Sequence, residues 1–171
     1  MTSSLAIIGR PNVGKSSLFN KLVKKRSAIV TNLSGVTRDK NIGFARIAKS
    51  DFLIVDTGGI NDTGDKLSND VSEHAWDAAL ESEIIYVVVD GSEDLTANDL
   101  DILSNVRKLN KKFFIVINKI DKKTNSSVQA ELQKKGFSNI LMISAEHSIG
   151  IDAIRKNICL LYTSPSPRDK R

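Results

Sequence analysis

The run Gly9-Arg10-Pro11-Asn12-Val13-Gly14-Lys15-Ser16 decides the fold. It satisfies the spacing G-x-x-x-x-G-K-S/T. The apolar run Leu5–Ile8 before it reads as a buried strand, and the amphipathic stretch Ser16–Lys24 after it reads as a helix. Strand, glycine-rich loop and helix together form the context in which this spacing cradles phosphate. The glycines let backbone N–H groups wrap the phosphate oxygens, and the helix N-terminus adds a favourable partial charge. Gly9, Arg10, Pro11, Asn12, Val13, Gly14, Lys15, Ser16 and Ser17 are therefore the candidate phosphate-binding residues. Lys15 is suited to bridge β- and γ-phosphates, and the Ser16 hydroxyl to ligate Mg²⁺. By itself the loop does not separate ATPases, kinases and GTPases.

Outward from this loop, short β-branched runs alternate with amphipathic stretches. Asn41–Ala48, Asp51–Val55, Ile84–Val89, Phe113–Ile117 and Ile140–Ile143 read as further strands. Leu67–Ser82 reads as a helix with Val71, Ala75, Ala78, Ala79 and Ser82 on one face. Asn98–Leu109 is a helix spaced on Leu100, Leu103 and Val106. Ser126–Lys135 is another, and Ile151, Ile154 and Ile158 open a last one. Six strands alternating with helices predict an α/β fold with a mostly parallel sheet covered on both faces. Such sheets bind ligands at the carboxyl ends of their strands, and each motif below falls at such an end.

Asn118-Lys119-Ile120-Asp121 follows the strand Phe113–Ile117. A carboxylate here is able to accept from both the ring N–H and the exocyclic amine of guanine. Adenine lacks that pair of donors and would leave the carboxylate unpartnered, and sites built this way reject the wrong partner by roughly 10⁴–10⁵. Asp56-Thr57-Gly58-Gly59 also ends a strand: Asp56 is suited to hold Mg²⁺ through water, and the Gly59 amide to reach the γ-phosphate. In the polar stretch Val36-Thr37-Arg38-Asp39, Thr37 is placed to complete the Mg²⁺ shell and sense the γ-phosphate. The backbone of Ser144-Ala145-Glu146 is placed to contact the guanine carbonyl oxygen.

Over residues 1–158 these motifs together resemble the Era-like branch of GTPases. The resemblance is closest to the first GTPase domain of the EngA/Der family, bacterial ribosome-assembly GTPases with two tandem G domains. It rests on the phosphate loop beginning at residue 9, on Gly35-Val36-Thr37-Arg38-Asp39 and on Asp56-Thr57-Gly58-Gly59-Ile60. Two departures are Ser34, where the family commonly has proline, and Ser148-Ile149, where it often has Gly and Arg. The resemblance implies a P-loop NTPase G domain that binds GTP and GDP with Mg²⁺ and hydrolyses GTP. It also implies the large ribosomal subunit, with its rRNA and proteins, as partner. Ile60 stands where Ras-type GTPases place a water-orienting glutamine, and an aliphatic side chain cannot orient water. In K⁺-activated relatives an asparagine at the position of Asn12 ligates a potassium ion, which takes the role of an arginine finger worth about 10³–10⁵ in rate. A K⁺-stimulated GTPase is thus expected, with Asn12, Lys15, Thr37 and Gly59 as its catalytic residues. The competing readings are an Era-like GTPase of tRNA modification and a non-enzymatic RNA-binding scaffold.

Composition bounds these readings. The 171 residues are 40% hydrophobic and 26% charged, enough for one globular domain, with a net charge of +5. No apolar run approaches the ~20 residues of a membrane span, and no secretory signal opens the chain. With one cysteine, Cys159, a reducing cytoplasmic setting is expected; the chain is also expected to be a monomer. His74 and His147 lack metal-ligand spacing and read as surface or loop residues; Trp76 reads as an edge of the core. Lysines near helix ends complement helix dipoles. Residues 159–171 read differently from the rest. A permitted back-translation of 159–169 is similar to a common transposase sequencing adapter, so this tail is expected not to be native and the last helix to be cut short. The tail supplies +2 of the +5, and the remaining +3 weakens the case for nucleic-acid binding from charge alone.

Overall fold

A computed structural model describes residues 3–23, 41–47, 50–57, 73–122 and 127–163. Its elements run β1 (Ser3–Ile8), α1 (Lys15–Leu22), β2 (Asn41–Ile47), β3 (Ser50–Asp56), α2 (Glu73–Glu81), β4 (Ile84–Asp90), α3 (Ala97–Lys108), β5 (Lys112–Asn118), α4 (Ser127–Lys134), β6 (Ile140–Met142) and α5 (Ile151–Thr163). The sheet order is β2-β3-β1-β4-β5-β6. β1 pairs in parallel with β3 and β4, and β5 in parallel with β4 and β6; among the described strands only β2 runs antiparallel, against β3. The six-stranded, mostly parallel α/β sheet expected from the alternation is therefore present.

The strands form where they do because they are buried on both faces. Every residue of β4, IIYVVVD, is buried, and such continuous β-branched runs belong to parallel sheets covered on both sides. One core cluster lies under α1 and α5 and contains Leu5, Ile7, Leu18, Phe52, Ile54, Tyr86, Val116, Ile154 and Ile158. The other, on the opposite face, contains Ala6, Ile8, Ala79, Ile85, Val87, Leu103, Val106, Ile115 and Leu132. Tyr86 meets Phe114 edge-on at 5.7 Å, and its hydroxyl donates to Asn157 Oδ1 at 2.9 Å, which fixes α5 against the sheet.

The helix faces read from periodicity hold. Ala75, Ala78, Ala79 and Ser82 are buried, with Ser82 just beyond the end of α2; Val71 lies outside the described residues. In α3 the buried apolar residues are Ile102, Leu103 and Val106, while Leu100 is half-buried. Trp76 packs partly buried against the second cluster, at the core's edge as expected. α5 continues past Ile158 to Thr163, with Leu161 partly buried on the first cluster and Leu160 64% exposed.

Lys111 closes the C-terminus of α2. Its ammonium donates to the carbonyl of Leu80 and, at 2.8 Å, to that of Ser82. A cation here satisfies orphan carbonyls and opposes the helix dipole. Lys111→Met keeps the aliphatic stem and removes both bonds. It is expected to destabilise the domain by about 1 kcal/mol, seen in thermal unfolding as a Tm lower by ~2–4 °C.

Candidate functional site

The site lies along the carboxyl ends of β1, β3, β4 and β5. β1 ends at Ile8, and the chain turns through residues 9–14 into α1. Gly14 sits before α1 with φ 98°, a left-handed conformation that disfavours any side chain. A Cβ at this position would lie 2.1 Å from Asn118 Nδ2, so glycine is required twice over, by backbone and by space. Val13 is fully buried and pins the loop to the core. Lys15 is 6% exposed, and its ammonium donates to Gly9 O at 2.9 Å and Arg10 O at 2.7 Å. The lysine thus lies folded along the inside of the loop, where phosphate oxygens would replace those carbonyls.

Ser16 Oγ donates to Asp56 Oδ2 at 2.9 Å across the loop, and Asp56 is fully buried at the end of β3. The two residues expected to serve Mg²⁺ are therefore adjacent. A hydroxyl beside a carboxylate is the hard oxygen donor set that ion takes. Thr57 Oγ1 donates to Ile7 O at 2.9 Å and ties β3 to β1 behind the loop. Thr37, Gly58, Gly59 and Ile60 lie outside the described residues.

The segment after β5 is linked to the phosphate loop at two points. Asn118, 3% exposed, donates from Nδ2 to Val13 O at 2.9 Å and accepts at Oδ1 from Ala145 N at 3.0 Å. One amide therefore joins the phosphate loop, β5 and the 144–146 segment. Lys119 Nζ donates to Asn12 O at 2.7 Å and pairs with Asp90 Oδ2 at 2.8 Å. Asn12 and Lys119 both hold left-handed backbones, φ 66° and 65°. For non-glycine residues that conformation carries a cost that surrounding contacts must offset. Burial pushes the Asp90 carboxyl up, but bonds from Lys119 and from the Ser92 side chain and N–H outweigh it and hold it below the usual carboxylate range. Asp90 therefore meets Lys119 as a carboxylate.

Asp121 stands at the rim with its side chain 19% exposed. Ser144 Oγ donates to its Oδ1 at 2.7 Å, and His147 Nε2 lies 3.1 Å from its Oδ2. The Ser144 bond is the main cause that lowers this carboxyl below its ordinary value. Slight burial opposes it, and its own backbone N–H, His147 and Lys122 reinforce it. Ser144 and Ala145 are fully buried, whereas Glu146 is exposed. The Ile120 N–H donates to Ile143 O at 3.2 Å, which seats the Asn118–Asp121 turn on the strand end.

Several of these partnerships had no signal in local sequence. Lys119, expected in the base-binding segment, is also paired with Asp90. Arg10 is bound to Asp99 at 2.9 Å and Glu93 at 2.7 Å, and Asp99 also closes the capping box of α3 with Thr96. The loop is thereby tethered to the start of α3. His147, read as a bland loop residue, touches the carboxylate expected to recognise the base.

A phosphate loop after β1, a hydroxyl–carboxylate pair beside it and an Asn-Lys-x-Asp turn fixed to it define a P-loop domain of the GTPase type. The family model described as 50S ribosome-binding GTPase matches residues 4–119, and the chain belongs to that family. GTPase Der of Stenotrophomonas maltophilia strain R551-3 is 41% identical over 159 residues, 92% of this chain and 34% of that protein. GTPase Der of Geotalea daltonii is 38% identical over 159 residues, 92% of this chain and 36% of its own. The chain thus spans about a third of the length of these curated relatives. Among solved structures, an Aquifex aeolicus Era variant bound to GDP and AlF4⁻ superposes with a TM-score of 0.75 at 31% identity, covering 98% of this chain and 60% of that one. The G domain of the T. maritima FeoB iron transporter shares the fold, with a TM-score of 0.71 at 23% identity over 95% of this chain and 100% of its own.

Proposed function

We propose that this chain binds GTP and GDP with Mg²⁺ and hydrolyses GTP to GDP and phosphate. It does so as the first G domain of a ribosome-assembly GTPase whose partner is the large subunit. The observation that carries the nucleotide reading is the Asn118 amide, which holds the phosphate loop and the base-recognition segment as one unit. Relatives bear on the rest: the Der proteins are named GTPases, one Era structure holds MgGDPNP, and the matching family is described as 50S ribosome-binding, which favours the large subunit. Among the described residues no helix is long and apolar enough to cross a membrane.

In this reading Lys15 leaves the carbonyls of Gly9 and Arg10 for the phosphate oxygens. Ser16, Thr37 and Asp56, the last through water, hold Mg²⁺, which supplies charge neutralisation along the phosphates. Gly9 to Ser17, with Asp56 to Ile60, surround the phosphates. Asp121 accepts from guanine; Lys119 and Ile120 shape its pocket, and the backbone of Ser144, Ala145 and Glu146 meets the guanine carbonyl. Thr37 and Gly59 hold their two segments while the γ-phosphate is present and release them after hydrolysis, which makes the domain a switch. Residues 159–171 take no part in this chemistry.

Charge stabilisation in the transition state is assigned to a potassium ion at Asn12, because Ile60 has no polar group with which to orient water. Asn12 is exposed at the loop. GTP turnover is expected to be at least roughly tenfold faster in K⁺ than in Na⁺, and Asn12→Ala to remove the difference. Rates measured at matched ionic strength decide it: equal turnover in both salts overturns the potassium assignment. Failure of wild-type protein to bind GDP more tightly than ADP overturns the nucleotide reading itself.

A further inference from the structure

His147 stands closer to the base-recognition site than its sequence context implies. Its Nε2 lies 3.1 Å from Asp121 Oδ2, while Ser144 Oγ occupies Oδ1 at 2.7 Å. Both carboxylate oxygens therefore already have partners. Guanine needs both of them, one for its ring N–H and one for its amine. The two partners differ in how readily they yield. Ser144 is fully buried, and its N–H and carbonyl are exchanged with Ile149 in a short bridge. His147 has a side chain 56% exposed and sits in a tight turn. That turn is set by Ser148 at φ 58° and by the Ser148 N–H donating to Ala145 O at 3.3 Å. Rotation of one imidazole into solvent clears Oδ2, while Oδ1 keeps the bond from the buried Ser144 hydroxyl and has a second lone pair to accept from guanine.

We propose that His147 is a latch on the base-reading carboxylate: it pairs with Asp121 in the empty site and must give way for guanine to bind. This rests on the reading of Asp121 as the guanine acceptor. It makes His147 a positioning residue that sets the availability of Asp121. The polar tips of Asp121, Glu146 and His147 lie within 4.8 Å of one another. Guanine must displace the imidazole to reach Oδ2, so removing the ring is expected to raise guanine affinity.

The test is the dissociation constant for GDP, with ADP as control, in wild-type protein, His147→Ala and His147→Leu at one pH, all with Mg²⁺. His147→Ala is expected to bind GDP about two- to fivefold more tightly than wild type, the size of an exposed polar pair, with ADP affinity unchanged because adenine does not use the carboxylate. His147→Leu, which has similar bulk and no donor, is expected to follow alanine and also serves if the alanine variant misfolds. GDP binding that is equal to wild type or weaker in both variants overturns the latch. Asp121→Ala separates the base reading from the latch. If it keeps the preference for GDP over ADP, both fall. If it loses that preference and the His147 variants bind GDP no more tightly than wild type, only the latch falls.

Discussion

Asp121→Ala is expected to erase the preference for guanine over adenine nucleotides and to leave a weak affinity for either diphosphate. In the wild-type protein the Ser144 bond holds the carboxyl below its usual range, at the end of the turn proposed to meet the base. An adenine ring offers no pair of donors to it, so the lone pairs that Ser144 does not take would be desolvated without a partner. Discrimination built in this way reaches roughly 10⁴-fold. Alanine removes both the reward for guanine and the penalty for adenine. Affinity for GDP therefore falls while affinity for ADP holds or rises, and the two converge. The variant is expected to fold, because Asn118 and the Ile120–Ile143 bond, not Asp121, attach this turn to the sheet. Competition of GDP and ADP against a fluorescent nucleotide measures the convergence. A preference that survives in the variant would place base recognition elsewhere.

Gly14→Ala is expected to abolish measurable nucleotide binding and to lower stability. The added carbon would sit 2.1 Å from Asn118 Nδ2. That amide cannot swing aside without cost: it is 3% exposed and bound to Val13 O and Ala145 N. Displacing it gives up two buried hydrogen bonds, at about 1–3 kcal/mol each. Forcing a non-glycine residue into a left-handed backbone adds about 1–2 kcal/mol. The total, about 3–8 kcal/mol, is a large share of the ~5–15 kcal/mol that holds a domain together. Thermal unfolding should show a Tm lower by at least ~6 °C, and calorimetry no heat with GDP. A variant with wild-type Tm would mean that the loop has another way to accommodate the methyl group.

The layout of the molecule was legible in sequence because it depends on period and length. β4 and β5 are unbroken apolar runs, and α3 carries its buried residues at helical spacing. The site's elements were legible for a similar reason, since Lys15, Asp56, Asn118 and Asp121 each follow a strand. What joins them was not legible. Arg10 with Asp99, Asn118 with Val13 and Lys119 with Asp90 are side-chain contacts across 29 to 105 residues of chain. Periodicity reports which face a residue occupies and is silent on which distant atom it meets. His147 shows the same limit. Nothing near it in sequence distinguishes it from a surface histidine, and only the approach of the β6–α5 turn to the β5 end brings it to Asp121.

The contact between Gly14 and Asn118 also bears on how such a domain changes over generations. A side chain at position 14 requires the amide at 118 to be gone, and its loss unties two loops. Neither position has a tolerable single step, and changing both in turn passes through an ancestor that cannot hold its ligand. Change is therefore expected to run away from this pair and into positions such as 148 and 149, neither of which is bound to the Asn118 amide. The two residues are expected to be inherited as a unit, although 103 positions lie between them.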